Sequence, residues 1–303
     1  MITILLTGGT SFIGRHLAKS LAKSDIRVLA TYRTANSSLN HALLAEVPNL
    51  KLIKLVSLDK IELDKLPPLV DAVVHLAGVS AMSGASIDEM LNVNVTGIRN
   101  LQCYAKRAGA SKFVYASSLS VHGKIKSDVV DEHTPVNDPG IYGATKYLGE
   151  RLLAESAETT PAIAIRLPGV LGSGAHRAWI PTLVDMMIAG KDVSIYNPNA
   201  EFNNAIHVND LSRLITQILL NHDWRGFAAF PIGAAGKMTI LEVASLLRDK
   251  LGSGSVLRQS NLFKPSFTID SRCATSLFGY VPSRIDAMIV QYLNDYMSSS
   301  QQI

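Results

Sequence analysis

The first fourteen residues constrain the chain more than any other stretch. Ile2-Thr3-Ile4-Leu5-Leu6 is a short apolar run, Thr7-Gly8-Gly9-Thr10-Ser11-Phe12-Ile13-Gly14 is a glycine turn, and from Phe12 to Lys23 apolar residues recur at helical spacing. A second apolar run, Ile26 to Ala30, completes a βαβ unit of about thirty residues, the length expected of a dinucleotide-binding start. In such a unit Gly8 lets the backbone turn tightly, the small Ser11 lets it approach a pyrophosphate, and Gly14 lets helix and strand pack closely. The helix N-terminus then receives the phosphates. The competing reading is a tight βα turn with no ligand.

A second stretch carries chemistry. In Ile141-Tyr142-Gly143-Ala144-Thr145-Lys146, Asp138 and Pro139 read as the N-cap and first residue of a helix. That helix places Tyr142 and Lys146 four residues apart on one face. A phenol with a pKa near ~10 exchanges protons poorly at neutral pH. A neighbouring ammonium favours the phenolate and lowers that pKa by roughly 1–3 units. The same pattern also describes an amphipathic helix with Tyr142 packed inward and Lys146 solvated.

At 303 residues and 47% hydrophobic, the chain can bury a large core, as one α/β domain or one domain with an appendage. No apolar run approaches the length needed to span a bilayer, and the first apolar run has neither a basic flank nor a cleavage site, so a cytoplasmic protein without a membrane partner is expected. The formal charge of +4 is scattered without a Lys/Arg run, which argues against nucleic acid and suits an anionic substrate. Cys103 and Cys273 lie in apolar contexts without metal-ligand spacing and are expected to be buried free thiols, with no metal site.

Further strands are expected at Leu52 to Val56, Asp71 to Gly78, Lys112 to Ser117 and Ala162 to Leu167, with helices from Ile87 to Ala108 and Tyr142 to Glu155. Thr7-Gly8-x-x-Ser11-x-x-Gly14 is similar to the Thr-Gly-x-x-Gly-x-x-Gly fingerprint of the extended short-chain dehydrogenase/reductases, the NAD-dependent epimerase/dehydratase family, with Ser11 in place of the middle glycine. Asp71-Ala72-Val73-Val74-His75-Leu76-Ala77-Gly78 resembles the family's Asp-x-Val-x-His-Leu-Ala-Ala strand, Asn92 to Gly97 its Asn-x-x-Gly-Thr segment, and Ser117 to Gly123 its Ser-Ser-x-x-Val-Tyr-Gly. Arg166 to Gly172, Phe202 to Asp210, Ala229 to Gly233 and Phe278 to Pro282 resemble later family segments, so the likeness covers nearly the whole chain.

The resemblance implies an α/β fold: a Rossmann-type doubly wound parallel sheet with a smaller, interleaved α/β substrate-binding region. The dinucleotide-binding domain is expected at 1–167, with returns at about 200–232, and the substrate-binding region mainly at 168–303. It implies Ser118, Tyr142 and Lys146 as the catalytic set. Ser118 would orient the substrate oxygen, Tyr142 would act as acid or base, and Lys146 would tune it and hold the ribose. Cofactor contacts are expected from Gly8, Thr10, Ser11, Phe12, Ile13, Gly14, Tyr32, Arg33, Ser57, Leu58, Leu76, Ala77, Gly78, Asn94, Pro168 and Val170, together with Tyr142 and Lys146. His75, alone in an apolar strand, is expected to be structural. Thr31-Tyr32-Arg33 has no carboxylate where the family pairs one with the ribose, so NADP is favoured over NAD, against the bland reading of Arg33 as a solvated loop residue.

The implied function is an NAD(P)-dependent oxidoreductase or epimerase acting on a secondary alcohol or ketone of a nucleotide-activated sugar. Ser118-Leu119-Ser120 has no carboxylate for eliminating water, which favours a 4-ketoreductase or 4-epimerase over a 4,6-dehydratase. Substrate contacts are expected from Ser80, Ser118, Gly169, His176 and Arg177. Gly169 stands where many nucleotide-sugar members have Asn, and Asn203 where they have Arg, so His176, Arg177 or Arg258 would supply the diphosphate donors. The alternatives are an NADPH-dependent reductase of a non-nucleotide ketone and a non-catalytic NAD(P)-binding regulator. Apolar residues on more than one helix face, including Leu148, Leu152 and Leu153, lead to the expectation of a homodimer, as in the family.

Overall fold

Apolar runs alternating with amphipathic helices set the architecture. The computed structural model describes residues 1–34, 37–176, 178–221, 224–262 and 264–300. In chain order the elements are β1 (Ile2–Thr7), α1 (Phe12–Leu21), β2 (Ile26–Tyr32), α2 (Ser37–Glu46), β3 (Leu50–Lys54), α3 (Lys60–Leu63), β4 (Ala72–His75), α4 (Ile87–Leu91), α5 (Gly97–Arg107), β5 (Lys112–Ser118), β6 (Val129–Val130), α6 (Ile141–Glu155) and β7 (Ala162–Leu167). There follow β8 (Gly169–Leu171), α7 (Trp179–Ile188), β9 (Val193–Tyr196), β10 (Glu201–Phe202), β11 (Ala205–His207), α8 (Val208–Leu220), β12 (Phe227–Pro231), β13 (Met238–Thr239), α9 (Ile240–Leu251), β14 (Leu257–Ser260), β15 (Thr268–Ile269), α10 (Arg272–Phe278) and α11 (Ile285–Ser300). Among the described residues no helix is long and apolar enough to cross a membrane.

The chain divides into two units. The first comprises Met1–Lys124, Val136–Arg166 and Ser212–Phe230. Its seven-stranded sheet has the order β12-β7-β5-β4-β1-β2-β3, and β3, β2, β1, β4 and β5 pair in parallel. The strand order reverses between β1 and β4, the place where open α/β sheets bind ligands. Leu5, Val73 and Phe113 from the strands pack with Ile98, Leu101 and Leu153 from α5 and α6. That is why the strands read as continuous apolar runs instead of alternating ones.

The second unit comprises Ile125–Pro135, Leu167–Leu211 and Pro231–Ile303. Among the described residues its strands pair two by two, β8 with β11, β9 with β14, β6 with β15 and β10 with β13. Val184, Met187, Val243, Leu247, Met288 and Ile289 form its core. Helix α9 is held at its start by a capping box in which Thr239 and Glu242 satisfy each other's backbone N–H groups.

The structure departs from the sequence reading in six places. The strand expected from Asp71 to Gly78 spans only Ala72–His75, and Leu76 to Gly78 leave it to line a cavity. The helix expected from Ile87 to Ala108 contains one π-helical turn, Asn92–Thr96, between α4 and α5. Asp138 does not cap α6. It adopts a left-handed backbone with φ of 51° and pairs with Lys124 at 2.5 Å, and α6 begins after Gly140. The third strand lies two residues earlier than expected, because Leu55 and Val56 leave it to line a cavity. The stretch from Phe202 to Asp210 is two short strands and the start of α8, whose Asp210 accepts hydrogen bonds from the backbone and hydroxyl of Ser283. Cys103 is exposed and Cys273 half-buried, so neither thiol is the core residue expected, although both are free.

Candidate active site

Where the sheet order reverses, a cavity of about 610 Å³ opens in the first unit. Gly8, Thr10 and Ser11 line it after β1, Thr31 to Thr34 at the end of β2, and Leu55 to Asp59 beyond β3. Leu76 to Val79 after β4 and Asn92, Val93, Thr96 and Asn100 from the helical run complete the wall. Of the expected cofactor residues, Gly8, Thr10, Ser11, Tyr32, Arg33, Ser57, Leu58, Leu76, Ala77 and Gly78 are therefore brought together.

The turn explains its own residues. Gly8 has φ of 71°, which a side chain resists, and a Cβ on Gly14 would stand 2.2 Å from the carbonyl oxygen of Gly8. Ser11 does more than replace a glycine. It is the N-cap of α1, and its hydroxyl accepts from the Gly14 N–H at 3.2 Å. That leaves the N–H groups of Phe12 and Ile13, which have no acceptor within the helix, as its outward donors. A left-handed glycine, a glycine cradle and a helix N-terminus at a cavity of this size fit the pyrophosphate and adenosine of a nicotinamide dinucleotide.

Beyond the cavity wall at Gly78 lies the candidate catalytic group. A Cβ on Gly78 would meet Asn94 Oδ1 at 3.3 Å and Lys146 Nζ at 3.6 Å. Asn94 lies in the π-helical turn and clamps Val79, accepting from its N–H at 3.0 Å and donating to its carbonyl at 2.8 Å. The same amide donates to Thr145 Oγ1 at 3.1 Å, so Asn94 ties the end of β4 to α6. A π-helical turn reorients one side chain without ending the helix, which suits that task.

On α6, Tyr142 and Lys146 lie one turn apart as expected. Ser118, at the end of β5, accepts from the Ser120 N–H at 3.1 Å. Burial holds the Tyr142 phenol above its ordinary pKa, with the nearby Ser118 hydroxyl pulling it down. The expected lowering by Lys146 is not what dominates here. Burial instead pushes the Lys146 ammonium down to about 7, opposed by the charge of Glu150. The ammonium lies 4.3 Å from the centre of the Tyr115 ring, on which His75 stacks. His75 is structural, as its sequence context indicates: Thr7 Oγ1 meets its Nδ1 at 2.6 Å, and burial, followed by the charge of Lys146, pushes it down to about 3.

Two groups escaped the sequence reading. Glu150, buried one turn beyond Lys146, receives Arg166 through two hydrogen bonds and the Ser117 hydroxyl at 2.5 Å. Its spacing of four from Lys146 was the available signal. Asn203, noted only as a departure, is a buried clip in the second unit, donating to the carbonyls of Ile269 and Ala234 and accepting from the Ile269 N–H at 2.7 Å. Among the other expected residues, Ser80 opens a single 3-10 turn in the first unit. In the second unit, Pro168, Gly169 and Val170 lie at β8, and His176 is exposed with Nδ1 3.0 Å from the Gly174 carbonyl. Arg177 lies outside the described residues.

The model of the NAD dependent epimerase/dehydratase family matches residues 4–233. A dTDP-glucose 4,6-dehydratase of Streptomyces niveus is 26% identical over 265 residues, covering 83% of this chain and 78% of that protein. A dTDP-4-dehydro-6-deoxy-D-allose reductase of a Streptomyces species is 25% identical over 276 residues, covering 84% and 83% respectively. The crystal structure of a UDP-glucuronic acid 4-epimerase from Bacillus cereus, in complex with UDP-glucuronic acid and NAD, covers 100% of both chains at a TM-score of 0.82 and 22% identity, a likeness of fold. With its glycine turn, its cavity at the strand-order reversal and its Ser118, Tyr142 and Lys146, the chain belongs to the NAD-dependent epimerase/dehydratase family of enzymes.

Proposed function

We propose that the enzyme moves a hydride between a nicotinamide cofactor and a secondary alcohol or ketone of a nucleotide-activated sugar, as a 4-ketoreductase or 4-epimerase. The observation that carries this reading is that Tyr142 and Lys146 stand one turn apart on α6, with the Ser118 hydroxyl at the end of β5 acting to lower the pKa of Tyr142. The bound cofactor supplies the hydride. Ser118 holds the substrate oxygen beside Tyr142, and Tyr142 exchanges a proton with that oxygen. A phenol kept protonated by burial is ready to give its proton to a ketone, which favours the reductive direction. Lys146 is placed to hold the ribose and, in its protonated form, to set a cation beside the reacting oxygen. The 118–120 turn carries no carboxylate, which supports reduction or epimerisation over loss of water. Arg33 on the cavity wall supports NADP over NAD. The exposed Leu148 on α6 supports a homodimer through that helix.

A second reading, reduction of a non-nucleotide ketone, draws on two observations. Asn203 is spent on backbone, and Arg258 is engaged by Asp192 through hydrogen bonds of 2.8 and 2.6 Å, so neither side chain stands ready for a diphosphate. One experiment separates the possibilities: identify by mass the nucleotide released from unfolded protein, then titrate UDP and dTDP and assay their 4-keto and 4-hydroxy sugars. Retained NAD with interconversion of a 4-hydroxy sugar identifies an epimerase. An empty site with NADPH-dependent reduction identifies a reductase. Failure to bind either nucleoside diphosphate overturns the nucleotide-sugar reading.

A further inference from the structure

We infer that Glu89 is a cofactor-specificity residue that works against Arg33. The inference rests on the reading that the cavity of the first unit takes a nicotinamide dinucleotide. Strand β2 ends in Thr31 and Tyr32 and is followed by Arg33, all on the cavity wall, which presents a guanidinium without a carboxylate. A carboxylate nevertheless reaches that corner from another element. Glu89 lies on α4, one helical turn before the wall residue Val93, and its Oε1 stands 3.4 Å from Arg33 Nη1.

The charges decide what this pair does. A 2′-phosphate carries about −1.5 to −2 near neutral pH, and a free ribose hydroxyl carries none. Arg33 attracts the phosphate, while Glu89 both occupies the guanidinium and repels the phosphate. A 2′-hydroxyl is indifferent to the net charge and can donate to a carboxylate. The pair thus presents nearly zero net charge to the ribose, and the preference for NADP that Arg33 alone would create is held down. Arg33 and Glu89 are 62% and 43% exposed, so their attraction contributes little to folding and the charge of Glu89 acts mainly on what binds beside it.

A different role for Glu89 is available and predicts a different result. Its N–H donates to the Ser86 hydroxyl at 3.2 Å, and an acid in the first turn of a helix is favoured by the helix dipole. A residue acting only there would alter the two cofactors equally.

The test is fluorescence titration of NADH and NADPH with the full chain freed of retained nucleotide by charcoal, for the wild type, Glu89→Gln and Arg33→Ala. Glu89→Gln is expected to raise the NADPH-to-NADH preference about tenfold, mainly by tightening NADPH, and Arg33→Ala to lower it by at least as much. An unchanged ratio in Glu89→Gln, or equal changes for both cofactors, overturns the inference and leaves the cofactor reading intact. Binding of neither dinucleotide by the wild type overturns both.

Discussion

Glu150 and Arg166 meet through two hydrogen bonds in the interior of the first unit, Nη2 to Oε2 at 2.8 Å and Nε to Oε1 at 3.1 Å. The pair joins α6 to β7, and the Ser117 hydroxyl adds the end of β5. Ser118 and Tyr142 therefore hang from two elements that one buried carboxylate fastens together.

Removing that carboxylate strands a buried guanidinium. Glu150→Gln is expected to lose about 3–5 kcal/mol in urea denaturation. The double variant Glu150→Leu/Arg166→Met leaves no uncompensated charge and should lose less than either single change. A Glu150→Gln protein as stable as the wild type would show that the pair holds nothing.

Lys146 makes stability depend on pH. Its folded-state pKa of about 7 lies below the ordinary lysine value of 10.5. Between those values the unfolded chain keeps a proton that the folded chain has released, so folding stability rises with pH. The slope approaches about 1.4 kcal/mol per pH unit and vanishes below the folded pKa, where both states are charged. Denaturation of cofactor-free protein at pH 7.5 and 9, compared with Lys146→Met, isolates this contribution, using pH values about one and a half units apart within that window. Equal slopes in the two proteins would refute it.

What the sequence disclosed was local. The glycine turn and the four-residue spacing of Tyr142 and Lys146 are properties of one turn or one helix face, and both appear where the residues indicate. What it concealed depends on partners far along the chain. Asn203 is explained by Ile269 and Glu89 by Arg33, and no pattern within a short window records such pairings. Asp138 was misread because its neighbours resemble a helix start, while its actual partner, Lys124, lies across a loop. The π-helical turn keeps apolar spacing nearly helical over five residues and so leaves no mark in periodicity.

Ser11 offers a test of the glycine turn. Ser11→Ala removes the cap on α1 and should cost about 1 kcal/mol, whereas Ser11→Gly, the family residue, should cost only a few tenths. Neither adds bulk at the cavity wall, so cofactor affinity should change little. A large loss of affinity in Ser11→Gly would mean that the hydroxyl itself contacts the dinucleotide.

Tyr142→Phe tests the chemistry itself. The ring is retained, so α6 and its packing should survive, and the cavity residues lie elsewhere in the first unit, so the Kd for cofactor should stay within about twofold of normal. The lost hydroxyl is the group that Ser118 addresses and the proton source for the substrate oxygen. Turnover should fall by about 10²–10⁴ at saturating substrate, in kcat more than in KM, because the proton is needed at the transition state and little at binding. If kcat were unchanged, the proton would have to come from elsewhere. His75 could not supply it, since at a pKa of about 3 it is neutral and its Nδ1 is engaged with Thr7. Another proton donor would then be the acid, and Tyr142 would be structural.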